Sequence, residues 1–442
     1  MNEIVFSQSS FFSLYAQSVL STPQKAVKLP SAQPDIRSAT SEKIANWGDD
    51  NMYPTFVLEQ IEKVTLLHPI LEWQARAIYG GGIVYGLLEV DEKGTEKWRQ
   101  IVDTEIEDFL ESSDLMAYVM EASMNFYTFR NIFPELTQSL DGSRINFLTV
   151  KDSVDCRWAK RSTDGRFKGH VETCFMSPDW IEANENSKEV LKFPVVPKWN
   201  PIEFMKAQKN KAFIYPISFP SLGRPYYQRV PWHVLLDTWL PIAKEIPRFK
   251  RALLENQLSV KYIIRVPEWW WSWKYKDWDK KSEPERIEVI KKEHSDFDKF
   301  FSGTFQGKSF MYTQRDSTPA KQYASWEIEV VDDKLKNGMY IEDSQEADAH
   351  IFKNLVVDPT LFGSGPGKNN KSSGSGSDKR VAWNNYVIQQ QPYQDLILKP
   401  LSIVATYNGW RKRLEKPGQR LQFWFRSYQI ARLDTGQETQ TL

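Results

Sequence analysis

Two helical tracts enclose a run of strand-forming sequence in the second half of the chain, and this nesting limits the folds open to it. The tracts, 230–257 and 332–355, place apolar residues at helical spacing among charged positions. Between them, KYIIRVP, GKSFMYT and SWEIEVV are typical of strands, and 282–301 has the pattern of a charged amphipathic helix. The sequence therefore predicts a compact strand–helix–strand–strand insert between two long helices.

Prolines interrupt the first of these helical tracts. Pro241 and Pro247 have no backbone N–H, so each removes a hydrogen bond if it lies inside a helix. Because sharp bends in long helices occur mostly at proline, we expect the helix over 230–257 to be kinked at both.

The first part of the chain combines helix and strand patterns. Residues 1–45 are rich in Ser, Gln and Pro with little periodicity, which indicates an extended arm. A helix interrupted near Pro69 is predicted to end at the glycines 80–82, before the strand-like run IVYGLLEV. Residues 98–125 have a helical pattern, and 126–175 alternate strand-like runs with turns. We therefore predict an α+β fold.

The clearest low-complexity segment is 358–380, DPTLFGSGPGKNNKSSGSGSDKR. It contains five glycines and no large apolar side chain after Phe362, which predicts a mobile loop. A helical tract over 381–409, broken by Pro392 and Pro400, is predicted to follow. Near the C terminus, RLQFWFRSYQIARLD indicates a strand.

This glycine-rich segment lacks the features of a nucleotide-binding P-loop. In that motif a glycine opens the loop, and Gly-Lys-Ser/Thr begins a helix. Here Phe362 stands in place of the first glycine, and Asn369 follows Gly367-Lys368 where Ser or Thr would bind magnesium. The pattern argues against an ATP site.

The segment is nevertheless basic. Its cations outnumber Asp358 and Asp378, which suits weak contact with DNA phosphates that does not depend on base sequence. The candidate DNA-contacting residues are Lys368, Lys371, Lys379 and Arg380.

The charge and cysteine content limit the ways in which this chain can bind nucleic acid or be stabilised by disulfides. Lys plus Arg and Asp plus Glu each number 57, so any contact with nucleic acid depends on local patches. Cys156 and Cys174 are too few for a disulfide scaffold, and we interpret them as reduced, inert thiols.

No run of about eighteen apolar residues is present, and the N terminus lacks a signal-peptide pattern, so we predict no membrane association.

Catalytic and metal-binding patterns are not apparent in the sequence. None of the histidines lies at zinc-ligand spacing from another ligand residue, and the paired aspartates occur in turn or cap contexts. We therefore predict no catalytic residue, no metal and no cofactor. The histidines are His68, His170, His233, His294 and His350.

The most unusual run of composition is EWWWSWKYKDW, residues 268–278. Aromatic rings with interleaved lysines can stack on single-stranded bases or sugars, but Trp and Tyr are also enriched at the centres of protein interfaces. We favour the interface interpretation, either between subunits or with another protein. Its candidate residues are Trp269, Trp270, Trp271, Trp273 and Trp278.

Several short motifs follow one another in a distinctive order. They are GDDNMYP (48–54), a helix with His68-Pro69 and its GGG end (80–82), a long helix leading into a strand (230–267), the small insert, a second helix with SQEAD (344–348), VDPTLFG (357–363) and GSGSDKR (374–380) with an amphipathic helix. This order over roughly 45–410 resembles the portal proteins of tailed bacteriophages, especially those of phages of Bacteroidetes-like hosts.

The resemblance implies a division of the chain into the parts of a portal fold. The expected parts are an N-terminal arm (1–45), a wing (46–228), a first stem helix (229–257), a small α/β clip (258–331), a second stem helix (332–355), a tunnel loop (356–380), a tunnel helix (381–409) and a C-terminal wing or minimal crown segment (410–442).

The resemblance also implies a function without enzymatic activity. Portal subunits form a dodecameric ring at one capsid vertex, nucleate capsid assembly with the major capsid protein and scaffold, and pass double-stranded DNA through a central channel. The clip docks the large terminase and later the head–tail adaptor. We would then expect assembly in the host cytoplasm and a final location in the virion.

Two alternatives come from other functional classes. A phage or plasmid enzyme that processes nucleic acid would show metal-dependent nuclease activity. A tryptophan-rich carbohydrate- or peptide-binding protein would be monomeric and would not form rings.

Overall fold

A computed structural model describes residues 43–90, 94–161, 170–256, 262–301, 309–314, 327–330, 339–362 and 376–430. The chain divides into two compact units. The larger unit lies within 29–243 and 345–442, and the smaller unit includes 244–344. The arm predicted over 1–45 lies outside the described residues up to position 42.

The fold mixes helices and strands, as predicted. The described helices are α1 (Tyr53–Lys63), α2 (Leu67–Tyr79), α3 (Thr104–Ser112), α4 (Leu115–Phe129), α5 (Pro201–Ala207), α6 (Trp239–Asn256), α7 (Glu268–Lys274), α8 (Glu283–Phe301), α9 (Met339–Leu355), α10 (Gly376–Tyr407) and α11 (Trp410–Leu414). The described strands are β1 (Ile83–Val90), β2 (Glu96–Gln100), β3 (Asn131–Gln138), β4 (Ile145–Lys151), β5 (Cys156–Trp158), β6 (Thr173–Met176), β7 (Leu191–Pro194), β8 (Ala212–Ile214), β9 (Ile217–Ser218), β10 (Tyr262–Pro267), β11 (Ser309–Gln314), β12 (Glu327–Val330) and β13 (Gln419–Phe425). Short 3₁₀ helices are Pro231–Leu236, Trp278–Lys280 and Pro359–Phe362.

Small sheets make up the β-structure of the larger unit. One has the order β13-β1-β2, a second has the order β4-β3-β8 with β9 also paired to β3, and a third has the order β5-β6-β7. These strand pairs are antiparallel. The first sheet joins distant parts of the chain, because β13 pairs with β1 from Ile83 to Glu89.

The sequence predicts one helix over 98–125, but helix-capping aspartates divide this tract into two helices. Its first residues are strand β2, and two helices follow. The Asp103 carboxylate accepts a hydrogen bond from Ile106 N at 3.2 Å, and the Asp114 carboxylate accepts one from Ala117 N at 3.2 Å. Because each carboxylate satisfies an N–H that a helix start leaves open, each begins a new helix.

Prolines have less effect on the helices than the sequence suggests. Pro241 lies in the first turn of α6, where an N–H has no intrahelical partner, so only Pro247 lies inside this helix. Residues 231–236 form a separate 3₁₀ helix instead of the start of a long α-helix.

The predicted breaks at Pro392 and Pro400 do not end α10, which includes both prolines. Its buried residues include Ile397, Leu401 and Val404. A fully buried aliphatic side chain contributes roughly 1.5–3 kcal/mol, and an interior proline costs about 3 kcal/mol. The burial of this face therefore outweighs the lost backbone hydrogen bonds.

Residues directly after the undescribed N-terminal segment belong to the core of the larger unit. Ile44 and Ala45 are buried, and Ile44 pairs with Ala159 in an isolated bridge. The Trp47 ring stacks on Tyr227 with ring centroids 4.2 Å apart. The arm predicted to extend to residue 45 is therefore too long at its C-terminal end, because apolar contacts already hold residue 44.

A buried arginine organises the GDDNMYP turn. Arg157 is fully buried, and its guanidinium donates to Asn51 Oδ1, Asn51 O and Val154 O, each at 2.7 Å, and to Cys156 O at 2.9 Å. Burial lowers the pKa of Arg157 to about 10, so it remains a cation at neutral pH. Asn51 adopts a left-handed backbone conformation with φ 64°, which asparagine tolerates better than most residues.

The smaller unit is built around a three-stranded sheet of order β11-β10-β12. β10 runs parallel to β11 and antiparallel to β12. Helix α8 lies in the connection between the parallel strands, and this order agrees with the strand–helix–strand–strand pattern predicted from the sequence. The tryptophan-rich run forms an additional short helix, α7. Residues 332–338 of the predicted second helix lie outside the described residues, and α9 forms the remainder.

His233 in the larger unit makes the stability of the fold depend on pH. His233 Nδ1 lies 2.6 Å from the Tyr53 hydroxyl, whose pKa burial raises, so this hydroxyl stays protonated and donates. Burial and the charges of Arg229 and Arg224 lower the pKa of His233 to about 4. His233 is therefore neutral at pH 7 and accepts the hydrogen bond.

The protein should lose stability as the pH falls from about 6.5 to about 4. In this range the unfolded chain protonates His233 and the folded chain does not, which favours unfolding by roughly 1–3 kcal/mol at the lower end. His233→Gln should reduce this loss in a pH series of thermal unfolding. The exposed His68 provides the control, and an equal flattening of the pH profile by His68→Gln would contradict the assignment.

Candidate functional site

The structure separates the candidate tryptophans of the smaller unit into two groups. Trp271 and Trp278 are buried, and their rings stack with centroids 5.2 Å apart and an interplanar angle of 17°. They pack with Val266 and Ile290, a group that we call the tryptophan core. Assigning Trp271 and Trp278 to an interface is therefore wrong, because these rings fill the interior of their own unit.

Trp269 and Trp273 lie on the outside of the same unit. Their side chains are 42% and 73% exposed, whereas Trp271 is 0% exposed. Residues four apart share one face of a helix, and Trp271, between them in sequence, lies about 200° around the helix from each. We call Trp269 and Trp273 the tryptophan ridge. Their interface role remains a prediction.

Trp270 lies between these two groups. It is half-buried, and its ring meets Trp271 edge to face with centroids 4.9 Å apart. Lys274 Nζ lies 4.8 Å from the Trp270 ring centroid, a cation–π contact. Trp270 therefore supports α7 and contributes less to its exposed face than the tryptophan ridge does.

Glu293 of α8 fixes the end of α7. Its carboxylate accepts hydrogen bonds from Lys274 Nζ and from the Tyr275 hydroxyl. Burial, followed by the bond to Glu293, raises the pKa of Tyr275 to about 12, so this hydroxyl remains a donor at neutral pH. These bonds hold the short helix that presents the tryptophan ridge.

The candidate DNA-contacting residues are only partly described. Lys368 and Lys371 lie outside the described residues, as does the Gly367-Lys368 pair. Lys379 is exposed and Arg380 is half-buried near the start of α10. Both were predicted to lie on the loop, but α10 already begins at Gly376. Asp378 in its first turn favours the start of a helix at this point.

An asparagine that the sequence analysis did not identify holds the segment after β13. The Asn384 side chain donates to Ile430 O at 3.3 Å and accepts from Ile430 N at 3.0 Å. Trp383 Nε1 donates to Tyr428 O at 2.9 Å. These bonds attach residues 428–430 to α10. A sequence pattern cannot reveal this contact, since the partners lie 46 residues apart.

Two open clefts flank an exposed row of α10. Their volumes are about 510 and 640 Å³, and Lys399, Ser402 and Arg411 line both. The first also contains Lys198 and Glu203, and the second contains Asp395 and Arg420. Even without Arg411, each cleft contains two cationic side chains and one acidic side chain, so both clefts favour anionic groups over cationic ones.

The basic run at the start of α11 forms ion pairs within the larger unit. Arg413 forms a bidentate pair with Asp103 at 2.7 and 2.9 Å and also contacts Glu105 at 2.9 Å. Arg411 pairs with Glu415 at 2.9 Å. The positive charge of these two arginines is therefore largely balanced by neighbouring carboxylates.

The cysteines are diagonal neighbours on adjacent strands of the third sheet, where Cys156 pairs with Met176 and Cys174 with Trp158. Cys156 on β5 and Cys174 on β6 are both buried. Burial and the neighbouring Cys174 thiol raise the pKa of Cys156. A protonated, enclosed thiol is a poor nucleophile, in line with the interpretation of these cysteines as inert.

The described residues show neither a metal-binding cluster nor a membrane-spanning helix. In the described parts of the chain, no three His, Cys, Asp or Glu side chains lie together in a way that could hold a metal ion. None of the described helices has both the length and the apolar character that a membrane crossing requires.

Comparison with known proteins shows similarity in fold but not in sequence. The chain matches no protein-family model and no curated protein. Its structure is similar to a chain in the virion of a native gene transfer agent particle, with a TM-score of 0.52, 11% identity and 83% of each chain covered. It is also similar to a chain in the neck of a native gene transfer agent particle computed with C12 symmetry, with a TM-score of 0.52, 12% identity and 84% of each chain covered. At these identities the likeness establishes a shared fold.

Removing one tryptophan from each group should separate their roles. Trp271→Ala should destabilise the smaller unit by about 3–5 kcal/mol because it leaves a cavity in the tryptophan core. Trp273→Ala removes an exposed ring and should change stability by less than about 0.5 kcal/mol. Hydrogen exchange of the backbone amides of α8 measures this difference, and comparable protection in the two variants would contradict the division.

Asn384→Ala should release the segment that follows β13. Loss of two hydrogen bonds worth roughly 0.5–1.5 kcal/mol each should speed hydrogen exchange at Ile430 about tenfold. The adjacent, exposed Asn385 offers a matched control of the same residue type. Asn385→Ala should leave the exchange rate at Ile430 unchanged, and an equal effect of both variants would refute a specific clamp.

Proposed function

We propose that this chain is a portal subunit of a tailed phage or phage-like particle. In this role it forms a dodecameric ring at one capsid vertex, and double-stranded DNA enters and leaves through the central channel. The ring nucleates assembly with the major capsid protein and scaffold, and it docks the large terminase during packaging and the head–tail adaptor afterwards. The subunit itself catalyses no reaction, because the terminase motor drives the DNA.

One observation carries this proposal. The fold agrees over 84% of both chains with a chain from a particle neck computed with C12 symmetry. A neck of twelvefold symmetry contains ring assemblies, and a subunit with the same fold is suited to the same arrangement. The order of motifs from GDDNMYP to GSGSDKR independently resembles portal proteins.

The insert between the two long helices suits the docking part of such a ring. The smaller unit has its own tryptophan core, so it keeps its structure while its outer face contacts a partner. A tryptophan buries roughly 150–250 Å² when it is fully covered, and tryptophans are common among residues that dominate binding energy. We therefore assign terminase or adaptor docking to the tryptophan ridge.

Contact with DNA is assigned to the start of α10 and the segment before it. Lys379 and Arg380 add positive charge where the helix dipole is already positive. Lys368 and Lys371 precede them in the sequence. Such a cluster attracts phosphates without reading bases, which is what a channel for any genome sequence requires.

The ring is tested directly by negative-stain electron microscopy of the purified chain, together with its mass in solution. Closed rings with a central hole and a mass of about twelve subunits are expected. A strictly monomeric particle at high protein concentration would refute the portal assignment.

Docking is tested with Trp269→Ala combined with Trp273→Ala. This double variant should form rings as the native chain does but bind its cognate large terminase at least about tenfold more weakly, because hot-spot tryptophans contribute about 2 kcal/mol or more. Asp277→Ala combined with Lys280→Ala changes exposed residues of the same unit and should leave terminase affinity unchanged. Native affinity for the terminase in the tryptophan variant would exclude the ridge as the surface that docks the terminase, and the same measurement with the head–tail adaptor tests the other partner.

A further inference from the structure

A small cavity lies where several helix ends of the larger unit meet. Its volume is about 80 Å³. The lining residues that matter here are Gln74 of α2, Tyr127 and Arg130 at the end of α4, Asn354 of α9, and Gln390 and Tyr393 of α10. A cavity of this volume has room for a few water molecules, so a halide or a small oxyanion fits into it.

Arg130 brings a positive charge to this cavity. Arg130 is 7% exposed, and within the described parts of the chain it forms no ion pair with a carboxylate. Taking a guanidinium out of water costs several kcal/mol unless other groups compensate the charge. Arg130 therefore differs from Arg157, whose N–H groups donate to four oxygens of the protein.

Aromatic rings compensate only part of this cost. The Arg130 guanidinium carbon lies 4.5 Å from the Phe126 ring centroid, 4.7 Å from that of Tyr393 and 5.4 Å from that of Phe219. Ring faces stabilise the cation, but the N–H donors of a guanidinium lie in its own plane and require acceptors.

One nitrogen of the Arg130 guanidinium, Nη1, has no hydrogen-bond acceptor among the described protein groups. Arg130 Nη2 donates weakly to the Tyr393 hydroxyl at 3.4 Å, whereas Nη1 is buried and has no hydrogen-bond acceptor among the described protein groups. The neighbouring Tyr127 hydroxyl donates to Gln390 Oε1, and burial raises the pKa of Tyr127. This hydroxyl is thus a neutral donor and supplies no negative charge.

We propose that this cavity is a binding site for a small inorganic anion, with Arg130 Nη1 as its principal donor. The anion accepts from Arg130 Nη1 and supplies a negative charge. The Oε1 atom of Gln74, a buried oxygen of the cavity lining that also has no hydrogen-bond partner among the described residues, is neutral and provides no such charge. Its position ties the end of α4 to the end of α9 and to α10. The proposal concerns the interior of one subunit and does not rest on the portal assignment.

The test is thermal unfolding of the full chain at constant ionic strength. Chloride or phosphate replaces gluconate, a bulkier organic anion that serves as the reference. The expected result is a melting temperature that rises with the concentration of chloride or phosphate, and in proportion to its logarithm once the site is mostly filled. An anion bound only to the folded state stabilises it in this way by mass action. Identical melting temperatures in chloride, phosphate and gluconate would overturn the proposal.

Arg130→Met removes the charge and keeps an apolar chain between the aromatic rings. The anion response should disappear in this variant, whereas Arg76→Met, at an exposed arginine of α2, should respond as the native chain does. An unchanged response in Arg130→Met would overturn the proposal.

A measurement on the native chain covers the case in which Arg130→Met fails to fold. Crystals of the native protein grown with bromide should show an anomalous peak within hydrogen-bonding distance of Arg130 Nη1. The absence of such a peak, together with no specific anion response in solution, would reject the site.

Discussion

Helix α10 is the common packing partner on which the rest of the larger unit depends. Its long-range hydrogen bonds to other elements include those from Tyr118 to Ile397 O at 2.8 Å, from Gln394 to Ile78 O at 3.0 Å, and from Gln138 to the Tyr407 hydroxyl at 2.8 Å. Because buried polar groups are costly when unpaired, these bonds fix the register of the helix against α2, α4 and β3.

The same helix joins the structural core to the surfaces that the proposed function requires. Lys379 and Arg380 occupy its start, and Lys399 lies in its exposed row between the two clefts. The buried part of the helix, from Tyr386 onwards, packs in the core and so fixes the position of the helix that carries these cations. The clamp at Asn384 attaches the segment after β13 to the same helix.

Two buried arginines show how differently this fold accommodates charge. Arg157 is surrounded by oxygens of Asn51, Val154 and Cys156, so the charge itself organises the chain near the start of α1. Arg130 is surrounded mainly by aromatic rings. These rings stabilise the faces of its guanidinium, but the Nη1 atom has no hydrogen-bond acceptor among the described groups. A buried cation such as Arg130, which lacks a hydrogen-bond acceptor at Nη1, favours the binding of an anion.

The sequence alone determined the α+β character and the order of elements in the insert, since apolar periodicity and turn residues are local signals. It also identified the tryptophan-rich run as important. Only the tertiary structure decided that Trp271 is core and Trp273 is surface, because this depends on which side of α7 meets α8. It likewise decided that Pro392 and Pro400 lie within a helix, because burial against distant residues outweighs local preference. Arg130 and Asn384 gave no sequence signal, since their partners or neighbours lie far away in the chain.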